Sequence, residues 1–148
     1  MSQIELKGNY YIRLYGPDGT LKKEVSGENV VTTVGKEFIA SFLKSAALAA
    51  ATFTAKYIAI GSDATGEAVG NTALGTELAR QTATATYTSG GIYELTATFA
   101  TGTGTGSIYE YGLLSSSTAG TLLSRDTEAL ITKGANDSLA VTYQLTFS

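Results

Sequence analysis

Ser107–Ser148 reads SIYEYGLLSSSTAGTLLSRDTEALITKGANDSLAVTYQLTFS. Its last strand decides the fold. Leu139, Val141, Tyr143, Leu145 and Phe147 alternate with Ala140, Thr142, Gln144 and Thr146. A period of two puts the large apolar side chains on one face of a strand and the small or polar ones on the other. Upstream, Tyr109, Tyr111 and Leu113 alternate with Ile108, Glu110 and Gly112. Thr118-Ala119-Gly120 supplies a turn before Leu122 and Leu123, and Lys133-Gly134-Ala135-Asn136-Asp137 another before the final strand. That final strand is expected to be fixed in a sheet.

Working toward the N-terminus, Arg80–Thr88 and Ile92–Thr101 read as a hairpin across Ser89-Gly90-Gly91. Ala83, Ala85 and Tyr87 share a face of its first arm; Tyr93, Leu95, Ala97 and Phe99 share a face of the second. Thr82, Thr84, Thr86, Thr96 and Thr98 lie opposite, toward solvent or a neighbouring subunit. Lys56–Gly61 is a further strand, and Ser62–Gly75 a long Gly/Ala/Thr loop. Between residues 34 and 50 the period changes. Phe38, Ile39, Phe42, Leu43 and Ala46 follow helical spacing, with Thr33 as N-cap. Asn29–Thr32 is a short strand leading into that helix.

The first hairpin, Asn9–Tyr15 and Leu21–Val25, turns at Gly16-Pro17-Asp18-Gly19. Tyr10, Ile12 and Leu14 face one side; Tyr11, Arg13 and Tyr15 face the other. A core hairpin needs only one apolar face. Residues 1–26 are therefore expected to form a contact arm, with Tyr11, Arg13, Tyr15, Pro17 and Asp18 as a candidate interface. The other reading is an edge hairpin lying against its own domain. Some eight short antiparallel strands and one helix imply a mainly β fold, an antiparallel β-sandwich or jelly-roll-like domain spanning residues 1–148.

Composition excludes much. The chain has 148 residues, no His and no Cys. A His-based triad, a Cys nucleophile, a thiolate or imidazole metal site and a disulfide are all ruled out. The formal charge is -3 and the ten Lys and Arg are scattered, against the basic patch of a nucleic-acid surface. No apolar run reaches the length of a membrane span, and the start, MSQIELKGNYY, lacks a signal-peptide pattern. Charged residues make up 16%, below the usual quarter. Either much surface is buried between subunits, or Thr-rich faces simply stand uncharged in water.

Some motifs suggest chemistry without its context. Gly102-Thr103-Gly104-Thr105-Gly106 precedes a strand, whereas a phosphate-binding loop precedes a helix. Asp63, Glu67 and Glu77 lack the spacing of a calcium loop. As a carboxylate pair for glycoside hydrolysis they would want an aromatic cleft, and the chain has no Trp. No cofactor is expected. Glu110 differs, because it sits mid-strand between Tyr109 and Tyr111. A buried carboxylate needs a partner. Arg80 is the expected partner, unless Glu110 faces solvent.

The ordered set E-Y-G-L-L (Glu110–Leu114), T-L-L-S-R (Thr121–Arg125) and I-T-K-G-A-N-D-S-L-A-V-T-Y-Q-L-T-F (Ile131–Phe147) resembles a family of small tailed-bacteriophage virion proteins. Upstream, Val30-Val31-Thr32-Thr33, Tyr57-Ile58-Ala59-Ile60-Gly61 and Thr72-Ala73-Leu74-Gly75-Thr76-Glu77-Leu78-Ala79-Arg80 fit the same order; residues 1–26 fall outside it. The resemblance implies a non-enzymatic virion protein, a capsid decoration or cement protein. It implies a homo-oligomer, a trimer by expectation, bound to the major capsid protein or another virion protein. Neither nucleic acid nor membrane is an expected partner. A tail-fibre-base or tail-tip component, and a carbohydrate-binding module for host attachment, are the alternatives.

Overall fold

The computed structural model describes residues 5–44, 56–127 and 130–148. The chain is mainly β and antiparallel, with one helix among the described residues. The strands are β1 Leu6–Tyr15, β2 Leu21–Val31, β3 Tyr57–Gly61, β4 Glu77–Thr82, β5 Thr84–Thr88 and β6 Ile92–Phe99. They continue as β7 Gly106–Ile108, β8 Glu110–Leu114, β9 Leu122–Asp126, β10 Ile131–Lys133 and β11 Ser138–Phe147. The helix α1 spans Thr33–Lys44. The predicted helix end at residue 50, and Ala46 of its apolar face, lie outside the described residues, as do the side chains of Phe42 and Leu43.

Nine strands form one sheet in the order β4-β3-β8-β9-β2-β1-β11-β6-β5. Two crossings fold it into two layers. The body of β2 pairs with β1, whereas Val30 and Val31 pair with Arg125 and Ser124 of β9. At the other end β4 pairs with β3, the chain bends at buried Ala83, and β5 pairs with β6. The Ala83 amide donates to the Lys56 carbonyl at 2.7 Å, which keeps the bend satisfied. This single residue joins the sheet's two end strands, so the chain switches layers at that corner of the sandwich, while β4 and β5 each keep an edge unpaired among the described residues.

The core lies between the layers. Tyr10, Ile12 and Leu14 of β1, Leu139, Val141, Tyr143 and Leu145 of β11, and Leu95, Ala97 and Phe99 of β6 fill one side. Ile58 and Ile60 of β3, Tyr111 and Leu113 of β8, and Leu123 of β9 fill the other. Each fully buried aliphatic or aromatic side chain contributes about 1.5–3 kcal/mol. Tyr10 and Tyr111 stack across the layers with ring centroids 6.4 Å apart and planes at 6°. Asp126, fully buried, pairs in register with Tyr111. Burial, and then the neighbouring Asp126 carboxylate, push the phenols of Tyr111 and Tyr143 well above their ordinary range, so both stay neutral.

The outer face of β3, β8 and β9 is also covered. Leu74, from the segment between β3 and β4, packs on Ala59, Leu114 and Leu122. Every residue of β8 and β9 is therefore buried. The helix begins on the same layer. Thr32 is its cap, one residue before the predicted Thr33: the Gly35 amide donates to Thr32 Oγ1 at 3.0 Å, and Thr32 Oγ1 donates to the Leu122 carbonyl. A side chain at Gly35 would run into the Leu123 backbone, so the first turn lies flat on β9.

The first hairpin is not an arm. β1 is paired along its length with β11, from Leu6 opposite Phe147 to Tyr15 opposite Ser138, and with β2 on its other edge. Tyr10, Ile12 and Leu14 are core residues. The contact-arm expectation for residues 1–26 is corrected on this point: β1 is a central strand, and its second tyrosine face is the outer face of the sandwich.

Asp137 closes the turn into β11. Its carboxylate accepts from the Gly134 amide at 2.8 Å and pairs with Lys22 Nζ at 2.8 Å. The Lys22 ammonium, with that amide, holds the carboxyl below the usual range. A lowered folded pKa gives stability that is present above the unfolded value, about 3.9, and lost as pH falls through the folded value. Asp137→Asn should lower the melting temperature at pH 7. In melts taken at stepwise lower pH, its deficit should shrink below the ordinary aspartate range. A deficit that stays constant down to strong acid would contradict this reading.

Candidate functional site

The outer face of β1, β11 and β6 carries most of the predicted interface. Antiparallel register sets its side chains in rows. Tyr11 lies opposite Thr142, which lies opposite Thr96; Asn9 opposite Gln144, which lies opposite Glu94; Arg13 opposite Ala140. The alternation that gives β11 its large inward residues leaves small Ala140 and Thr142 on this outer side. Tyr11 and Arg13 of β1 stand beside them on one side and the short Thr96 and Thr98 of β6 on the other, with Glu94 and Gln144 closing one end. The result is a hollow of about 330 Å³ lined by Tyr11, Arg13, Tyr15, Glu94, Ala140, Thr142 and Gln144.

Its polar groups are partly committed. Arg13 Nε donates to Glu24 Oε2 at 2.7 Å, and Glu24 raises the guanidinium further above its ordinary pKa. Gln144 Nε2 donates to Glu94 Oε2 at 2.7 Å, which fixes the amide. Among the described residues, no cation pairs with Glu94. Tyr11 is 41% exposed. Thus Tyr11, Arg13 and Tyr15 come together, while Pro17 and Asp18 do not line the hollow. Asp18 instead locks the β1–β2 turn, accepting from the Thr20 amide at 3.0 Å and its hydroxyl at 2.7 Å.

Glu110 is fully buried, and its cation is Arg125, not Arg80. Arg125 Nη2 and Nε approach Glu110 Oε2 at 2.9 and 3.0 Å. Arg80 faces a different cluster: its guanidinium bonds Glu77 at 2.6 and 2.9 Å and the carbonyls of Ser116 and Ala119. Register explains the difference. Gly112 is opposite Arg125 on β9, so Arg125 stands one diagonal from Glu110 on the same outer face. The predicted Arg80–Glu110 pair is therefore replaced by two separate ion pairs.

The Glu110–Arg125 pair sews down the segment joining β3 to β4. Glu110 accepts from the amides of Thr76 at 2.7 Å and Gly75 at 2.8 Å, and Arg125 reaches Asn71 Oδ1 at 3.1 Å and Asp63 at 3.6 Å. Room for this comes from missing side chains. A Cβ at Gly61 would lie 2.3 Å from Glu110 Oε1, and one at Gly75 would lie 1.8 Å from Asp63 Oδ2. The remaining acids serve turns. Asp63 accepts from Thr65, Glu67 pairs with the Thr127 hydroxyl, and Glu77 holds Arg80. Among the described residues, no group of three acids is placed to hold a metal ion. The Gly102–Gly106 loop turns back before β7, with Gly104 tight against Ile60.

The β5–β6 hairpin is the other conspicuous surface. All five residues of β5 are exposed, Tyr87 at 75%. No charged residue stands between Arg80 and Glu94. Among the described residues β5 pairs with β6 alone. The predicted Thr rows are present, with Thr84 opposite Thr96 on this hairpin. No family model, curated protein or solved structure matches the chain.

Sequence reasoning missed Arg125, Glu94 and Gln144. An arginine alternating within Leu122–Asp126 was the available signal for Arg125. Glu94 and Gln144 meet only through the pairing of β6 with β11, and no local pattern shows that register.

Proposed function

We propose that this chain is a structural component of a tailed-phage virion, a decoration or cement protein. It would hold shell subunits together through contacts with the major capsid protein and with its own copies. The order of motifs from Val30 to Phe147 supports this reading, and the β5–β6 hairpin carries it. Exposed edge strands are usually guarded by charge, Pro or bulges, because unpaired edges recruit other chains. Here Thr84–Thr88 carries no charge and no Pro, and presents Tyr87 to solvent. Tyrosine gives large contact area with a polar tip, and it is enriched at interfaces. The buried charges, by contrast, are consumed in holding the fold.

The test has two parts. Copy number in purified particles should reach that of the major capsid protein's lattice; a few dozen copies would place the chain in the tail instead. Tyr87→Asp and Thr86→Lys should each weaken self-association or shell binding at least tenfold in sedimentation assays. Their melting temperatures should stay near the parent's, as for most surface changes. Unchanged assembly in both variants would remove the hairpin from the contact.

A further inference from the structure

We propose that the hollow over Ala140 and Thr142 is a binding site for a neutral saccharide of one or two rings. This goes beyond the virion role and rests on a separate surface. The hollow's volume, about 330 Å³, sits at the small end of ligand sites. Tyr11 and Tyr15 line the hollow. A tyrosine ring offers an apolar face to the C–H side of a pyranose and a hydroxyl to its edge. Between them the site presents both halves of hydroxyl recognition. Arg13 donates, Glu94 accepts, and Thr142 and Gln144 do both.

The charge balance selects against anions. Arg13 is already neutralised by Glu24 at 2.7 Å, and Glu94 adds a further negative charge. An anionic sugar would meet two carboxylates against a single guanidinium. Shape argues against a second copy of the chain as occupant. Two identical hollows set face to face would enclose empty space instead of making contact, whereas a small ligand fills one. The floor is rigid, because β1, β11 and β6 are hydrogen-bonded neighbours, each paired to a strand on both of its edges. A preformed site loses less entropy on binding.

The full chain should be screened on an array of neutral glycans. It should also be titrated with methyl α-glucoside, methyl β-galactoside, N-acetylglucosamine, maltose and lactose, followed by amide ¹H–¹⁵N shifts. The expected result is saturable shifts confined to β1, β11 and β6 with at least one sugar. Tyr11→Ala and Glu94→Ala should each weaken that binding at least tenfold, with melting temperatures unchanged. No array signal together with no shift overturns the proposal. So does binding confined to sialylated or sulfated glycans, or binding that both variants retain. Concentration-dependent shifts at the hollow without sugar would assign it to a second copy instead. None of these outcomes bears on the Tyr87 hairpin, so failure here and failure of the virion reading are read separately.

Discussion

Removing residues 1–26 should leave no folded protein. The deletion takes away Tyr10, Ile12 and Leu14, all in the core, and the whole of β1. Truncating any one such side chain to Ala costs about 2–5 kcal/mol. Total stability of a domain this size is about 5–15 kcal/mol. The three together consume most or all of that before any backbone term. The deletion also strips β11 and the remainder of β2 of a shared neighbour, opening the sheet at its middle. Far-ultraviolet circular dichroism and a thermal melt of residues 27–148 check this. A cooperative melt near that of the full chain would show that β1 is dispensable to the core.

Glu110→Ala should cost about 3–5 kcal/mol, the usual penalty for leaving one member of a buried ion pair unpartnered. Two losses combine. Arg125, 2% exposed, loses its nearest anion and keeps only the longer contact to Asp63 at 3.6 Å. The amides of Gly75 and Thr76 lose their acceptor, so the segment covering Leu114 and Leu122 is released from the sheet. Glu110→Gln retains an acceptor oxygen and should cost less. Glu110→Leu with Arg125→Met should recover part of the loss, since an apolar pair of similar volume often replaces a buried ion pair without penalty. Urea unfolding at pH 7 measures all of these. A loss under about 0.5 kcal/mol for Glu110→Ala, small even among surface changes, would deny the pair its structural role.

The fold was legible where one face of a strand meets water. In β11 the inward Leu139, Val141, Tyr143 and Leu145 alternate with outward Ala140, Thr142, Gln144 and Thr146, and the period of two was visible directly. In β9 it was not. Leu122–Asp126 is buried on both faces, and a register shift against β8 disturbs the alternation, so the strand read only as a pair of leucines. Partners across the sheet were less legible still. Glu110 could be recognised as a carboxylate in need of a cation, because that follows from its own neighbours. Naming Arg125 requires the β8–β9 register, which local sequence does not encode. The same gap misplaced the first hairpin. Its two-faced tyrosine pattern was correctly divided into Tyr10 inward and Tyr11 and Tyr15 outward. Its place beside β11 depends on pairing between the two ends of the chain. The hollow was half legible: Tyr11, Arg13 and Tyr15 were singled out, but its opposite wall comes from β6.

The parallel stack of Tyr10 on Tyr111 gives the protein an internal optical gauge. The rings belong to strands on opposite layers, so the pair exists only while the two layers are packed together. With no Trp in the chain to mask it, near-ultraviolet circular dichroism should be dominated by immobilised tyrosines. Loss of that band with retained far-ultraviolet signal would mark a state whose strands persist while the layers have come apart. Packing of the two layers could thus be followed in solution, during heating or during attachment to a partner, without adding any label.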